Sequence, residues 1–216
     1  MTRPCDSLIF DMDGTLWDAV DSYCLCWDET ASRLGIRRAP VKRTELIPLM
    51  GKPLEEIFQV IIGGSEDLCR RFMIALGPVE CEIMPRLGGR LYPGVRETLT
   101  KLSAQGVRLF MVSNCTEHGL DNFLNFTALR MLFTDWRSFG ATGVDKDVNL
   151  IDLRNCYNLQ RPMYVGDIQR DCDSTHAAGM EFVWASYGFG RVGDAEFVID
   201  SFPRLEEIVE NTRGQR

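Results

Sequence analysis

The 216-residue chain is 45% hydrophobic and 25% charged, with a net charge of -7, an ordinary globular composition with apolar material for one large core or two smaller ones. Its lysines and arginines are spread along the chain without the basic stripe that a phosphate-backbone binder needs, so nucleic acid is not expected as a partner. The first residues, through Pro4 and Asp6, lack the basic flank and apolar run of a signal peptide, and no apolar segment is long enough to span a bilayer; a soluble cytoplasmic protein with no membrane partner is expected.

Ser7–Phe10 is a short apolar run that stops abruptly at Asp11-Met-Asp-Gly-Thr15, the pattern of a buried strand followed by a polar turn. Val20, Tyr23, Cys24, Trp27, Ala31 and Leu34 then follow a helical rhythm, and Gly35 is placed to stop that helix. A second helix is expected from Pro53, with Leu54, Ile57, Phe58, Ile61 and Ile62 on one face and Gly63-Gly64 at its end. Ser65, followed by Glu66 and Asp67, reads as the N-cap and acidic first turn of a third, running to about Leu76 before Gly77-Pro78. Because strands return only afterwards, residues 18–88 are expected to form a helical lobe inserted into an α/β core made of 1–17 and 89–216.

Beyond Pro93-Gly94 the pattern alternates. Helices are expected at Val95–Ala104, Thr116–Phe126, Asp147–Tyr157, Asp173–Ala178 and Arg204–Glu210. Strands are expected at Val107–Val112, Met131–Phe133, Met163–Val165, Phe182–Ala185 and Glu196–Ile199. Such alternation predicts an α/β fold with a Rossmann-like parallel sheet, in which ligands bind beyond the carboxyl ends of the strands. Gly188-Phe-Gly-Arg-Val-Gly193 spells GxGxxG, but a strand pattern follows it where a dinucleotide site requires a helix.

The eight cysteines contain no CxxC pair, and His118 and His176 are the only histidines. Neither a zinc site nor a disulfide framework is suggested, so catalysis falls to carboxylates, lysine or a metal. Four polar clusters lie where strands or helices meet the expected ligand edge: Asp11-Met-Asp13, Ser113-Asn114, Lys146 and Gly166-Asp167, the last followed by Arg170 and Asp171. Each alone is ordinary turn or capping chemistry. Their joint order is not.

The constellation closely resembles the haloacid dehalogenase superfamily of phosphatases over nearly the whole chain. DMDGT at 11–15 is similar to the first motif of that family, SN at 113–114 to the second, Lys146 to the third and GDIQRD at 166–171 to the fourth. Tyr164-Val-Gly-Asp167 running on to Ala177-Ala-Gly-Met180, together with the helical lobe, resembles the phosphoglycolate phosphatase-like branch, and implies that the lobe is a mobile cap. The resemblance also implies Mg2+ held by Asp11, Asp167 and the main-chain carbonyl of Asp13, with Asp171 behind them; a simple helix cap is the alternative for Asp171. Gly51-Lys52 would reach over the site from the cap, Lys52 meeting an anionic group of the substrate or else only solvent.

Phosphoryl transfer needs an in-line nucleophile, neutralisation of the equatorial oxygens and a proton donor for the leaving group. Asp11 fits the nucleophile, Asp13 the acid and later base, and Ser113, Asn114 and Lys146 the donors to the phosphoryl oxygens. Carboxylates converging at about 4 Å repel by roughly 4 kcal/mol per pair at an effective dielectric near 20, more than one lysine offsets, so a divalent cation is expected. The expected substrate is a small phosphate ester, phosphoglycolate-like, turned over through an aspartyl-phosphate. Asp13 argues against a dehalogenase or phosphonate hydrolase, and Gly166-Asp167 in place of Glu-Asp argues against a sugar phosphomutase. A phospho-accepting or phosphate-binding regulatory protein is the non-enzyme alternative, and the oligomeric state is left open.

Overall fold

The computed structural model describes residues 4–214, so the core assigned to 1–17 and 89–216 is seen from Pro4 to Gly214. Its centre is a six-stranded sheet in the order β5-β4-β1-β6-β7-β8, parallel throughout, built from β1 (Ser7–Phe10), β4 (Arg108–Ser113), β5 (Asp135–Ser138), β6 (Pro162–Gly166), β7 (Glu181–Ala185) and β8 (Phe197–Ile199). The α/β, Rossmann-like reading holds.

Alternation along the strands explains why the sheet needs cover on both sides. Leu8, Phe10, Leu109, Met111, Met163 and Val165 belong to one apolar layer, shared with Leu99 and Leu102 of α5 (Val95–Ala104), Leu120 and Phe123 of α6 (Gly119–Thr127) and Leu205 and Val209 of α10 (Leu205–Gly214). Their neighbours Ile9, Phe110, Val112 and Tyr164 belong to the other, closed by Leu150 and Leu153 of α8 (Lys146–Cys156) and Cys172 of α9 (Gln169–Ala177). All four residues of β1 are buried, as a central strand requires.

The chain leaves and re-enters this core side by side: β2 (Trp17–Asp18) pairs antiparallel with β3 (Arg90–Leu91). Two-residue strands have no periodicity to read, and the sequence gives no sign of either. Between them lie α1 (Val20–Arg33), the short α2 (Arg43–Leu46), α3 (Leu54–Ile61) and α4 (Glu66–Leu87). Trp27, Phe58 and Phe72 join them, with Phe72 4.9 Å from Trp27 and 5.3 Å from Phe58 between ring centroids.

Two expected elements are corrected. The helix that starts after Ser65 does not stop before Gly77-Pro78; α4 continues to Leu87 with Pro78 and Pro85 inside it. Its buried face runs on across Pro78, through Phe72, Leu76, Val79, Glu80 and Met84, so tertiary packing outweighs the local cost of a proline. The strand expected at Met131–Phe133 is a 3-10 turn, Arg130–Leu132, with Met131 93% exposed. The strand is β5, which carries Asp135 and Arg137 because it lies at the sheet edge, half-buried, where an apolar run is not needed. The helix α7 (Phe139–Thr142) was not anticipated, and α9 begins at Gln169 rather than Asp173.

Pro78 supplies no N–H to the carbonyl four residues earlier. Replacing it, Pro78→Ala, restores that donor but loosens the unfolded chain, and should leave a net stabilisation of about 1–2 kcal/mol. Urea unfolding measures this; a lower midpoint for the variant would mean that the proline fits α4 without cost.

Candidate active site

The strand order brings the polar clusters together. β1 lies between β4 and β6, and its last residue, Phe10, stands opposite Met111 on one side and Val165 on the other. Asp11, fixed by its N–H donating to Val165 O at 2.9 Å, therefore lies between the segment ending in Ser113-Asn114 and the one ending in Gly166-Asp167. The strand order also reverses here, β4 and β5 lying to one side of β1 and β6 to β8 to the other, which opens a crevice at the strand ends.

Lys146, the first residue of α8, is 3% exposed, and its ammonium reaches Asp11 Oδ1 at 3.2 Å and Asp171 Oδ1 at 2.6 Å. Burial works against its charge, but Asp11 and Asp171 overcome that and hold it protonated. Asp171 resolves into a helix cap and more. Its Oδ2 accepts the N–H groups of Asp167 at 3.1 Å and Ile168 at 3.3 Å, closing the first turn of α9, while its other oxygen holds Lys146.

Asp11, Asp167 and Asp171 each place a carboxylate oxygen within 4.8 Å of the others, and all three are buried. Burial pushes Asp11 up to about 6 even though Lys146 pulls it down. Burial, with the charges of Asp171 and Asp11, pushes Asp167 well above the usual carboxylate range. One ammonium is too little positive charge for three carboxylates out of water, and the donor set, all hard oxygens, suits Mg2+. The Asp13 carboxylate is outside this cluster. Trp17 Nε1 donates to its Oδ1 at 2.9 Å and Tyr23 OH to its Oδ2 at 3.3 Å, leaving its main-chain oxygen as the donor of the kind the resemblance implies. Burial and the charge of Asp11 push the Asp13 carboxyl well up, against these two hydrogen bonds.

A small cavity of about 60 Å³ opens over these groups. Asp11, Asp13, Ser113 and Asn114 line it from the core, and Tyr23, Lys52, Glu80 and Gly51 from the helical segment. Asn114, expected to face a phosphoryl oxygen, donates its amide to Gly51 O at 3.1 Å. Gly51 has a φ of 78° and sits so close to Ile168 that a Cβ there would meet Ile168 Cδ1 at 2.3 Å. Thr116 donates to Glu80 at 2.6 Å, and Arg170 stands 3.5 Å from Glu56. All nine residues singled out in the sequence, Gly51, Lys52 and the seven of the core, thus meet around one crevice, the cavity lined by Asp11, Asp13, Gly51, Lys52, Ser113 and Asn114 and the buried cluster of Lys146, Asp167 and Asp171 beside it.

Thr15 donates its hydroxyl to Asp167 Oδ1 at 3.4 Å, whereas several other partners of the site were missed. The rejected glycine motif, which has no helix after it, nonetheless closes on the site: Phe189 N–H donates to Asp167 Oδ2 at 2.7 Å, and a Cβ on Gly188 would lie 2.3 Å from Asp167 Cβ. Those glycines serve close backbone approach, a signal visible only once Asp167 is placed. Tyr23, read as part of the apolar face of the first helix, and Glu80, beyond the expected end of the third, had no sequence signal as site residues.

A second polar cluster, Cys172, His176 and Asp194, has a structural reading. The Cys172 sulfur is 3.8 Å from both ring nitrogens of His176 and donates to Asp194 Oδ1 at 3.5 Å. Nε2 of His176 meets Glu196 at 3.0 Å, and Glu196 accepts Phe182 N–H at 2.8 Å, which ties the 188–196 segment to α9 and β7. Five of the eight cysteines, including Cys172, are buried and all are free, as expected of small apolar residues.

Residues 8–185 match the family model described as haloacid dehalogenase-like hydrolase. A phosphoglycolate phosphatase of Pseudomonas putida is 28% identical over 92% of this chain and 77% of its own length. One of Vibrio parahaemolyticus is 25% identical over 97% and 98%. Among solved structures, a haloacid dehalogenase-like family hydrolase of Streptococcus pneumoniae superposes with a TM-score of 0.80 at 17% identity, covering 95% of this chain and 98% of the other. A subfamily IA hydrolase of Geobacter sulfurreducens gives 0.71 at 18%, covering 94% and 96%. With the model matched from the first strand to the fifth strand of the parallel sheet, this chain belongs to the haloacid dehalogenase-like hydrolases.

Proposed function

We propose that this enzyme is a magnesium-dependent phosphatase that hydrolyses a small phosphomonoester through an aspartyl-phosphate on Asp11. The observation that carries the reading is the buried group of Asp11, Asp167 and Asp171 around one lysine at the level ends of adjacent parallel strands, with Asp13 two residues from Asp11. The phosphoglycolate phosphatases among its relatives make phosphoglycolate the first metabolite to assay.

In this mechanism a carboxylate oxygen of Asp11 attacks phosphorus as the ester oxygen departs, and Asp13 gives that oxygen its proton. Asp13 then takes a proton from the water that attacks the phosphorylated Asp11, releasing phosphate and regenerating both carboxyl groups. Trp17 and Tyr23 engage both Asp13 oxygens and aim the carboxyl for these two transfers. Lys146 and Ser113 meet the charge of the phosphoryl oxygens, and Asn114 joins them or keeps its contact with Gly51. Asp11, Asp167 and the Asp13 main-chain oxygen would hold Mg2+, with Asp171 behind them, and the ion would neutralise the charge of the phosphoryl group against the nucleophile. A halide or phosphonate chemistry gives Asp13 no such work.

Residues 18–88 act as a cap over this centre. The contacts of Asn114 with Gly51, Thr116 with Glu80 and Arg170 with Glu56 belong to its closed position, and the β2–β3 ribbon is the place where it turns. Lys52 enters the cavity with the closing loop and meets an anionic part of the substrate.

Two outcomes are expected. Exhaustive chelation should abolish turnover of an aryl phosphate, Mg2+ should restore it, and Ca2+ should inhibit, because its larger coordination number engages both oxygens of Asp11. Undiminished turnover in chelator would remove the metal from the reading. Asp13→Asn should slow an alkyl phosphate by about 10²–10⁴-fold, the range of general acid help. With a nitrophenyl phosphate, whose leaving group needs little help, the variant should give a burst followed by slow turnover, with phosphate retained on the protein and absent in Asp11→Asn. Equal loss on both substrates with no phosphoprotein by mass spectrometry would favour direct attack of water instead.

A further inference from the structure

Glu80 is a buried carboxylate that the proposed mechanism does not use. It lies on the inner face of α4, 5% exposed, among Leu76, Val79 and Met84, where an apolar side chain would serve the fold without the cost of burying a charge. Among the described residues no lysine or arginine pairs with it. The hydroxyl of Thr116 donates to Oε2, and Oε1 has no described protein partner. Glu80 nevertheless lines the same cavity as Asp11, Asp13 and Ser113, and does so from the helical segment; in-line attack by Asp11 sends the leaving group away from the core, toward that segment. Lys52 lines that cavity too, but no ion pair joins it to Glu80, so the two present separate charges to whatever enters.

A carboxylate at the leaving-group side accepts hydrogen bonds and repels anions. A carboxylate on a substrate held in this cavity shares it with the Glu80 carboxylate. From this we infer that Glu80 is a specificity-determining residue, selecting phosphomonoesters whose leaving group bears a hydrogen-bond donor, hydroxyl or ammonium, over those ending in a carboxylate such as phosphoglycolate. The inference rests on the phosphatase reading and narrows its substrate class. Thr116 is part of the device: by occupying Oε2 it leaves one oxygen for the ligand. Burial raises Glu80 to about 7, with Thr116 pulling the other way, so the carboxylate is mostly charged at pH 8, where the preference should be fullest.

The test is a ratio of kcat/KM values at pH 8, glycerol 3-phosphate and 2-aminoethyl phosphate each against phosphoglycolate. The wild-type ratios should favour the donor-bearing esters by about tenfold or more, the scale of a hydrogen bond to a charged group. Glu80→Gln, neutral and of the same shape, should bring the ratios down by about tenfold, the ammonium ester losing most and phosphoglycolate gaining. Because each ratio is taken within one protein, a general loss of activity in the variant cancels. The wild-type comparison also stands without the variant. Turnover of all three esters with ratios near one, or ratios that Glu80→Gln leaves unchanged, would overturn the role of Glu80 and leave the phosphatase reading intact. Failure of the wild type to hydrolyse any phosphate ester would overturn both.

Discussion

Three carboxylates and one ammonium share the crevice at the end of β1, nearly free of water, and most of the surrounding architecture follows from holding them there. Lys146 spans Asp11 and Asp171, which lie far apart in the sequence, so a single cation ties the start of the chain to the region after β6. Like charges at this spacing push apart by roughly 4 kcal/mol per pair at an effective dielectric near 20. Four further donors are accordingly turned inward: the N–H groups of Asp167 and Ile168 onto Asp171, that of Phe189 onto Asp167, and the hydroxyl of Thr15 onto Asp167. A rigid parallel sheet is the frame that keeps so unfavourable a group assembled, since its strand ends cannot separate without breaking the ladder of β1 with β4 and β6.

Much of this was legible because it is written in local chemistry. A buried central strand must be apolar without interruption, and Ser7–Phe10 followed by Asp11 could be read as such a strand with an acid at its tip. Helices with one buried face, α1, α3 and α5, announce themselves by spacing, and Gly35 and Gly63 fall where they end. The errors lie where packing overrules local preference. The edge position of β5 lets it be polar, so its sequence does not look like a strand, while the exposed Met131 nearby does. The buried face of α4 continues past Pro78, so the strongest helix-breaking signal in the chain breaks nothing.

The site was legible on the core side and opaque on the other. Asp11, Asp13, Ser113, Lys146, Asp167 and Asp171 all sit at strand ends or helix starts, positions that a strand-and-helix reading locates. Tyr23 and Glu80 come from helix faces, where a residue bound for the cavity has the same periodicity as one bound for the core. Glycines 188 and 190 were read only as a glycine motif without the helix that a dinucleotide site requires. Their use, letting the backbone press against Asp167, depends on a contact between segments that no local pattern encodes.

The hydrogen bond from Asn114 to Gly51 ends on a main-chain carbonyl, not on a side chain. Every residue type offers that same carbonyl, so the loop can change the side chains on either side of Gly51 and still be latched to the core. If residues 18–88 act as the proposed cap, its fit and the choice of what lies beneath it are thus written in different parts of the molecule. Under that proposal a lineage of such enzymes can exchange Lys52 or its neighbours, and so drift from one metabolite to another, without first having to reinvent the way the cap shuts.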